Sequence, residues 1–115
     1  MKICRILAEW DLDPTYQFVV ICGLLDDGSV ARDQEWYGYA KEADVGRYPF
    51  YVPPGTDLFC YGRHELPPEN TDLFRDVIVD VGRSFKLRCQ DENDGMYERK
   101  YYITHVEVLS TAMAG

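Results

Sequence analysis

At 115 residues, 46% of them apolar and 28% charged, the chain suits one domain with a core of its own. A net charge of −8 and a pI near 4.6 argue against nucleic acid as a direct ligand, because phosphate binding needs a basic footprint. No apolar run approaches the ~18 residues of a membrane helix. A carboxylate at Glu9 comes too early for the apolar centre of a signal peptide, so the expected compartment is the cytoplasm.

Residues 2–10 read as a first strand, with Cys4, Ile6, Ala8 and Trp10 on one side. Asp11-Leu12-Asp13-Pro14-Thr15 is a turn: Pro14 fixes φ and the Asp side chains cap nearby amides. Tyr16 to Leu25 is apolar on both faces, as a strand covered on both sides would be. Its β-branched and aromatic content, and Asp26-Asp27-Gly28-Ser29 behind it, favour strand over helix. A third, more polar strand is expected over about Val30–Tyr39, and one helical turn over Ala40–Gly46, stopped by the glycine.

Tyr48–Val52 is extended, and Pro49, Pro53 and Pro54 confine it to an edge or a loop. A short strand follows at Asp57–Arg63, then a loop over 65–69 and a brief turn capped by Asn70 or Thr71 and running through Phe74. Asp76–Val81 leads to Gly82 and a closing hairpin. There Phe85, Leu87 and Cys89 alternate with Lys86, Arg88 and Gln90, the turn-rich Asp91–Gly95 intervenes, and Tyr101–Leu109 returns.

About seven short strands with minor helical turns predict an all-β, single-domain antiparallel barrel or sandwich over residues 1–110, with 111–115 a flexible C-terminal tail. The Val81-Gly82-x-x-Phe85-x-Leu87 entry, within about a quarter of the chain, resembles the openings of small SH3-like or OB-like barrels.

The four cysteines are widely spaced and form no CxxC pair. Cys4, Cys22 and Cys89 share faces with apolar neighbours and read as small buried hydrophobes, with Cys60 the least regular. Gly62-Arg63-His64-Glu65 offers a candidate base, yet neighbours in extended chain point to opposite faces, so Glu65 is badly placed to orient His64. With His64 and His105 as the two histidines, a three-histidine metal site is excluded, and the usual zinc spacings are missing. In Asp91–Gly95 the glycine stands one position too early for an EF-hand. Nucleotide-loop, zinc-protease and serine-hydrolase strings do not occur. The expectation is therefore a non-enzymatic protein with no cofactor and no metal.

Acidity is concentrated in residues 9–80, which hold fifteen Asp or Glu against five Lys or Arg, while 81–115 is balanced. Eight of the sixteen aromatic residues fall between Trp36 and Tyr61. Acids around aromatic anchors complement a basic protein surface: charge speeds encounter, and rings slow departure. The candidate partner-binding set is Asp33, Glu35, Trp36, Tyr37, Tyr39, Glu42, Asp44, Tyr48, Tyr51, Asp57 and Tyr61, within an acidic 33–72 region. The competing reading turns those rings into the barrel.

The functional expectation is a binding protein that blocks a basic surface of a nuclease toxin or a nucleic-acid-handling complex. This is the manner of immunity proteins and of phage counter-defence (anti-CRISPR) inhibitors, one version acting as a nucleic-acid mimic. One alternative is a small-ligand-binding or hydrolytic barrel with a site around Cys60 and His64. Another is a structural domain of a larger assembly.

Overall fold

In the computed structural model, which describes residues 1–62, 67–91 and 95–111, the strands are β1 (Lys2–Trp10), β2 (Tyr16–Leu24), β3 (Trp36–Glu42), β4 (Gly46–Val52), β5 (Leu58–Tyr61), β6 (Glu69–Thr71), β7 (Ser84–Asp91) and β8 (Gly95–Thr111). Each pairs antiparallel with its chain neighbour, and β8 returns to β1, so the sheet closes into a barrel. Of the two architectures expected, the barrel is the one formed. No helix occurs among the described residues.

The period of two does the folding work. Ile6, Ala8, Phe18, Val20, Phe50, Phe59, Phe85, Leu87, Tyr101 and Ile103 point inward and are buried. Their rings interlock: Phe18 stacks on Phe59 at 5.0 Å and meets the Tyr101 ring edge-on at 4.8 Å, while Phe50 lies 4.5 Å from Phe59. Leu73 and Phe74, from the turn after β6, add to this core. Outward positions carry charges such as Arg5, Lys41, Arg47, Lys86 and Arg88. An apolar inside with a charged outside reverses the distribution of a transmembrane β-barrel. No helix among the described residues is long and apolar enough to cross a membrane.

Close packing fixes one glycine. Gly38 lies opposite Val20 on one side and Phe50 on the other. A Cβ there would fall 2.0 Å from the Val19 carbonyl oxygen and 2.7 Å from the Phe50 ring. The missing side chain lets the Phe50 ring lie across β3.

Three expectations need correction. The third strand begins at Trp36, not Val30, because residues 30–35 form a loop held by the Leu24–Val30 bridge and the Ala31 N–H to Gly23 carbonyl bond of 2.8 Å. The helical turn at 40–46 is absent. Ala40–Glu42 finish β3, and Ala43, at φ 41°, begins a tight turn closed by the Val45 N–H to Glu42 carbonyl bond. Tyr48–Val52 belongs to a strand paired with β3 over its whole length, although β5 covers Phe50 and Tyr51 alone, which leaves Pro49 clear of that second ladder. β8 runs through Thr111, the first residue of the expected tail, and 112–115 lie outside the described residues.

Candidate functional site

The eleven candidate residues separate by strand alternation. On β3, Tyr37 and Tyr39 face outward while Trp36 and Glu42 share the inward register; on β4, Tyr51 faces outward while Tyr48 packs against the core. Trp36, expected as a surface anchor, is 7% exposed, and its Nε1–H donates to the Ala31 carbonyl at 2.6 Å. It is a core residue. Tyr61 also faces inward; its hydroxyl donates to the Glu69 carboxylate.

Glu42 and Tyr61 join Gln17, Lys41, Glu69 and Arg99 around a recess of about 30 Å³ at one mouth of the barrel. That is room for a single water and too small for a substrate. Cys60, of the alternative ligand site, faces out opposite Tyr51, on the other side of β5 from Tyr61 and the mouth recess. His64 lies outside the described residues. His105 is exposed on β8, where its Nδ1 is 3.1 Å from the Thr104 hydroxyl.

Asp57 is half-buried and engaged. Arg32 Nη1 is 2.6 Å from its Oδ1, and Arg75 Nη2 is 2.8 Å from its Oδ2. Asp57 and Arg75 wall a polar groove of about 320 Å³ that also includes Asn70, Asp72, Lys86 and Arg88. The charges there pair internally: Glu98 meets Arg88 at 3.0 Å and Lys86 at 3.7 Å, and the Asp72 carboxylate accepts the Lys86 amide at 2.7 Å. Sequence reasoning missed this groove because its members come from four separate segments with no common motif. Among the described residues, no group of three or more His, Cys, Asp or Glu could hold a metal ion.

What remains outside is a continuous cross-strand row. Arg5, Ile21, Tyr37, Tyr51 and Cys60 stand side by side on β1 to β5. Within it Ile21 is 38% exposed, Tyr37 56% and Tyr51 41%. Asp33 and Glu35, both exposed, lie in the loop that enters β3 beside this row. The negative charge of Glu35 holds the Tyr37 phenol above its ordinary pKa, assisted by partial desolvation and a hydrogen bond to the carboxylate. Asp44 is exposed as well, yet it occupies the far turn, separated from Glu35 by the seven residues of β3, roughly 20 Å of strand. Tyr39, one row along, is half-covered, with the Arg47 guanidinium 5.1 Å from its ring centroid.

Compared with protein-family models, curated proteins and solved structures, the chain has no match.

Proposed function

We propose that this protein is a non-enzymatic binding protein of the cytoplasm that covers a basic surface of another protein, with Tyr37, Tyr51 and Ile21 as contact residues and Asp33 and Glu35 as the charged rim. The observation that carries the reading is the Tyr37–Tyr51 pair: two large rings directly opposite each other, exposed on a rigid sheet, beside carboxylates. Tyrosine commits large area at low entropy cost, and an exposed cluster of this kind marks an interaction surface. A net charge of −8 selects the sign of the partner and accelerates encounter. Inhibition of a nucleic-acid-handling enzyme or a nuclease toxin is the biological role that this chemistry fits.

Affinity capture from cells of the source organism tests the proposal, using the wild type, the Tyr37→Ala/Tyr51→Ala double variant, and Glu35→Lys. A basic protein should be retained by the wild type, lost from the double variant, and eluted as salt rises from about 50 to about 500 mM. An acidic partner, or retention indifferent to salt and to both tyrosines, would sink the idea. With the partner in hand, Glu35→Lys should slow association, whereas loss of either ring should chiefly speed dissociation.

A further inference from the structure

Among the described residues, cations cover the outward rings of Tyr39 and Tyr102, and Arg99 sits among three rings on the inward register at a mouth of the barrel. Arg47 covers Tyr39 at 5.1 Å. Arg99 lies 4.4 Å from the Trp10 ring, 5.0 Å from Tyr97 and 5.5 Å from Tyr16, and the Lys100 ammonium is 5.1 Å from the Tyr102 ring. Tyr37 and Tyr51 differ: among the described residues no cation stands over either ring. Arg5, in the same row, is two strands from Tyr37, ~10 Å away, and is turned toward Glu107 at 3.9 Å. Arg32, in the adjoining loop, is committed to Asp57, Gly55 and Phe74.

We infer that Tyr37, Tyr51 and Glu35 together form a docking site for an arginine side chain presented by the partner. This inference rests on the proposed binding function and names the group recognised. A guanidinium is planar and weakly hydrated, so it stacks on a tyrosine face while its edge N–H groups donate to a carboxylate. Both parts are present here: Glu35, exposed, stands two residues before Tyr37 where the chain enters β3, and Tyr37 is paired with exposed Tyr51. An ammonium fits less well, because it lacks a flat face and keeps its hydration shell more strongly.

The test is an NMR titration of protein labelled in its tyrosine rings, with three capped tripeptides, Gly-X-Gly, in which X is arginine, lysine or citrulline. Citrulline keeps the shape of arginine without its charge. The arginine peptide should shift the Tyr37 and Tyr51 ring signals with saturation in the millimolar range, as expected of one exposed stacking contact with one charge-assisted hydrogen bond. The lysine peptide should bind several-fold more weakly, and the citrulline peptide should leave both rings unmoved. Glu35→Gln should weaken the arginine response about threefold or more. Tyr37→Leu should abolish it, and Tyr39→Leu should leave it intact.

Equal responses to arginine and citrulline, or shifts confined to other tyrosines, overturn the inference. So does the lack of a ring response at about 50 mM arginine peptide. If capture of a basic protein still requires Tyr37 and Tyr51 while the arginine peptide leaves them unmoved, the arginine site falls and the binding function stands. If the peptide binds as described and no basic partner is captured, the reverse holds.

Discussion

Arg32 and Asp57, twenty-five residues apart in sequence, meet at 2.6 Å. The same guanidinium donates to the Phe74 carbonyl at 3.1 Å and the Gly55 carbonyl at 3.0 Å. One side chain thus ties the loop before β3 to the loop before β5 and to the turn after β6. Because both partners are more than half covered, removing Arg32 leaves the Asp57 carboxylate with the far more exposed Arg75 and takes the donor from the part-buried Phe74 carbonyl. Arg32→Leu should cost about 3 kcal/mol in urea unfolding. Arg75→Leu, which breaks a far more exposed contact to the same carboxylate, should cost less than about 1 kcal/mol. Equal losses would mean that Arg32 is not the tie described.

Trp36 and Tyr37 are adjacent and should behave oppositely. Trp36→Ala empties part of the core and abandons the Ala31 carbonyl, for a loss of roughly 4 kcal/mol, while Tyr37→Ala should change stability by no more than about 0.5 kcal/mol. Thermal and urea melts of the two variants decide this. A folded, fully stable Trp36→Ala protein would contradict the placement of the indole.

Gly38→Ala should destabilise by about 3 kcal/mol, since the new methyl group would collide with backbone at Val19 as well as with the Phe50 ring. The backbone oxygen cannot swing aside without breaking the ladder between β2 and β3. The combined variant Gly38→Ala/Phe50→Leu should recover only part of the loss, which a denaturation series would read directly.

Burial, with a smaller contribution from Cys4 across the β1–β2 ladder, pushes the Cys22 thiol up to about 12 from an ordinary value of 9.0. The unfolded thiol ionises first as pH rises, so the unfolded state is favoured between about pH 9 and 12. Stability from this group is complete below pH 9 and declines by about 1.4 kcal/mol per pH unit through that window. Cys22→Val should remove this component of the slope when unfolding is followed from pH 8 to 11. The same covering should keep Cys4 and Cys22 from alkylation in the native protein, while Cys60, half-exposed on the outer face, reacts. Peptide mapping after brief iodoacetamide treatment would show the order.

Strands whose two faces differ were readable from residue order. Alternation put Cys4, Ile6 and Ala8 inside, and the Asp13 and Asp27 turns sit where expected, each carboxylate accepting amide and hydroxyl bonds from the residue two positions on. The segment 30–46 was misread for a physical reason. Val30, Ala31 and Trp36 are all buried, but the loop between them is held inside by bonds from Ala31 to the Gly23 carbonyl and from the Trp36 indole to the Ala31 carbonyl, which an alternating pattern does not encode. Ala40 and Glu42 have good helix propensity and were recruited into β3 by pairing with Phe18 and Tyr16, a tertiary effect that overrides a weak local preference.

The candidate surface was half visible. Aromatic density singles out β3, β4 and β5, and only the phase of the alternation separates outward Tyr37 and Tyr51 from inward Trp36, Tyr48 and Tyr61. A one-residue error in where β3 starts inverts that assignment. The guanidinium clasp on Asp57 could not be foreseen, because its three members come from separate loops.

The seam that joins β1 to β8 brings Ile6 against Val106 and Arg5 against Glu107, partners about a hundred positions apart. Such a contact carries a large entropic debt before any hydrogen bond repays it, so zipping this seam should be the late, slow event on the way to the native ring. Until it forms, both bordering strands expose unpaired amides that invite pairing with other chains. Nascent or heat-stressed protein should therefore stick to itself along these margins rather than at the tyrosine row.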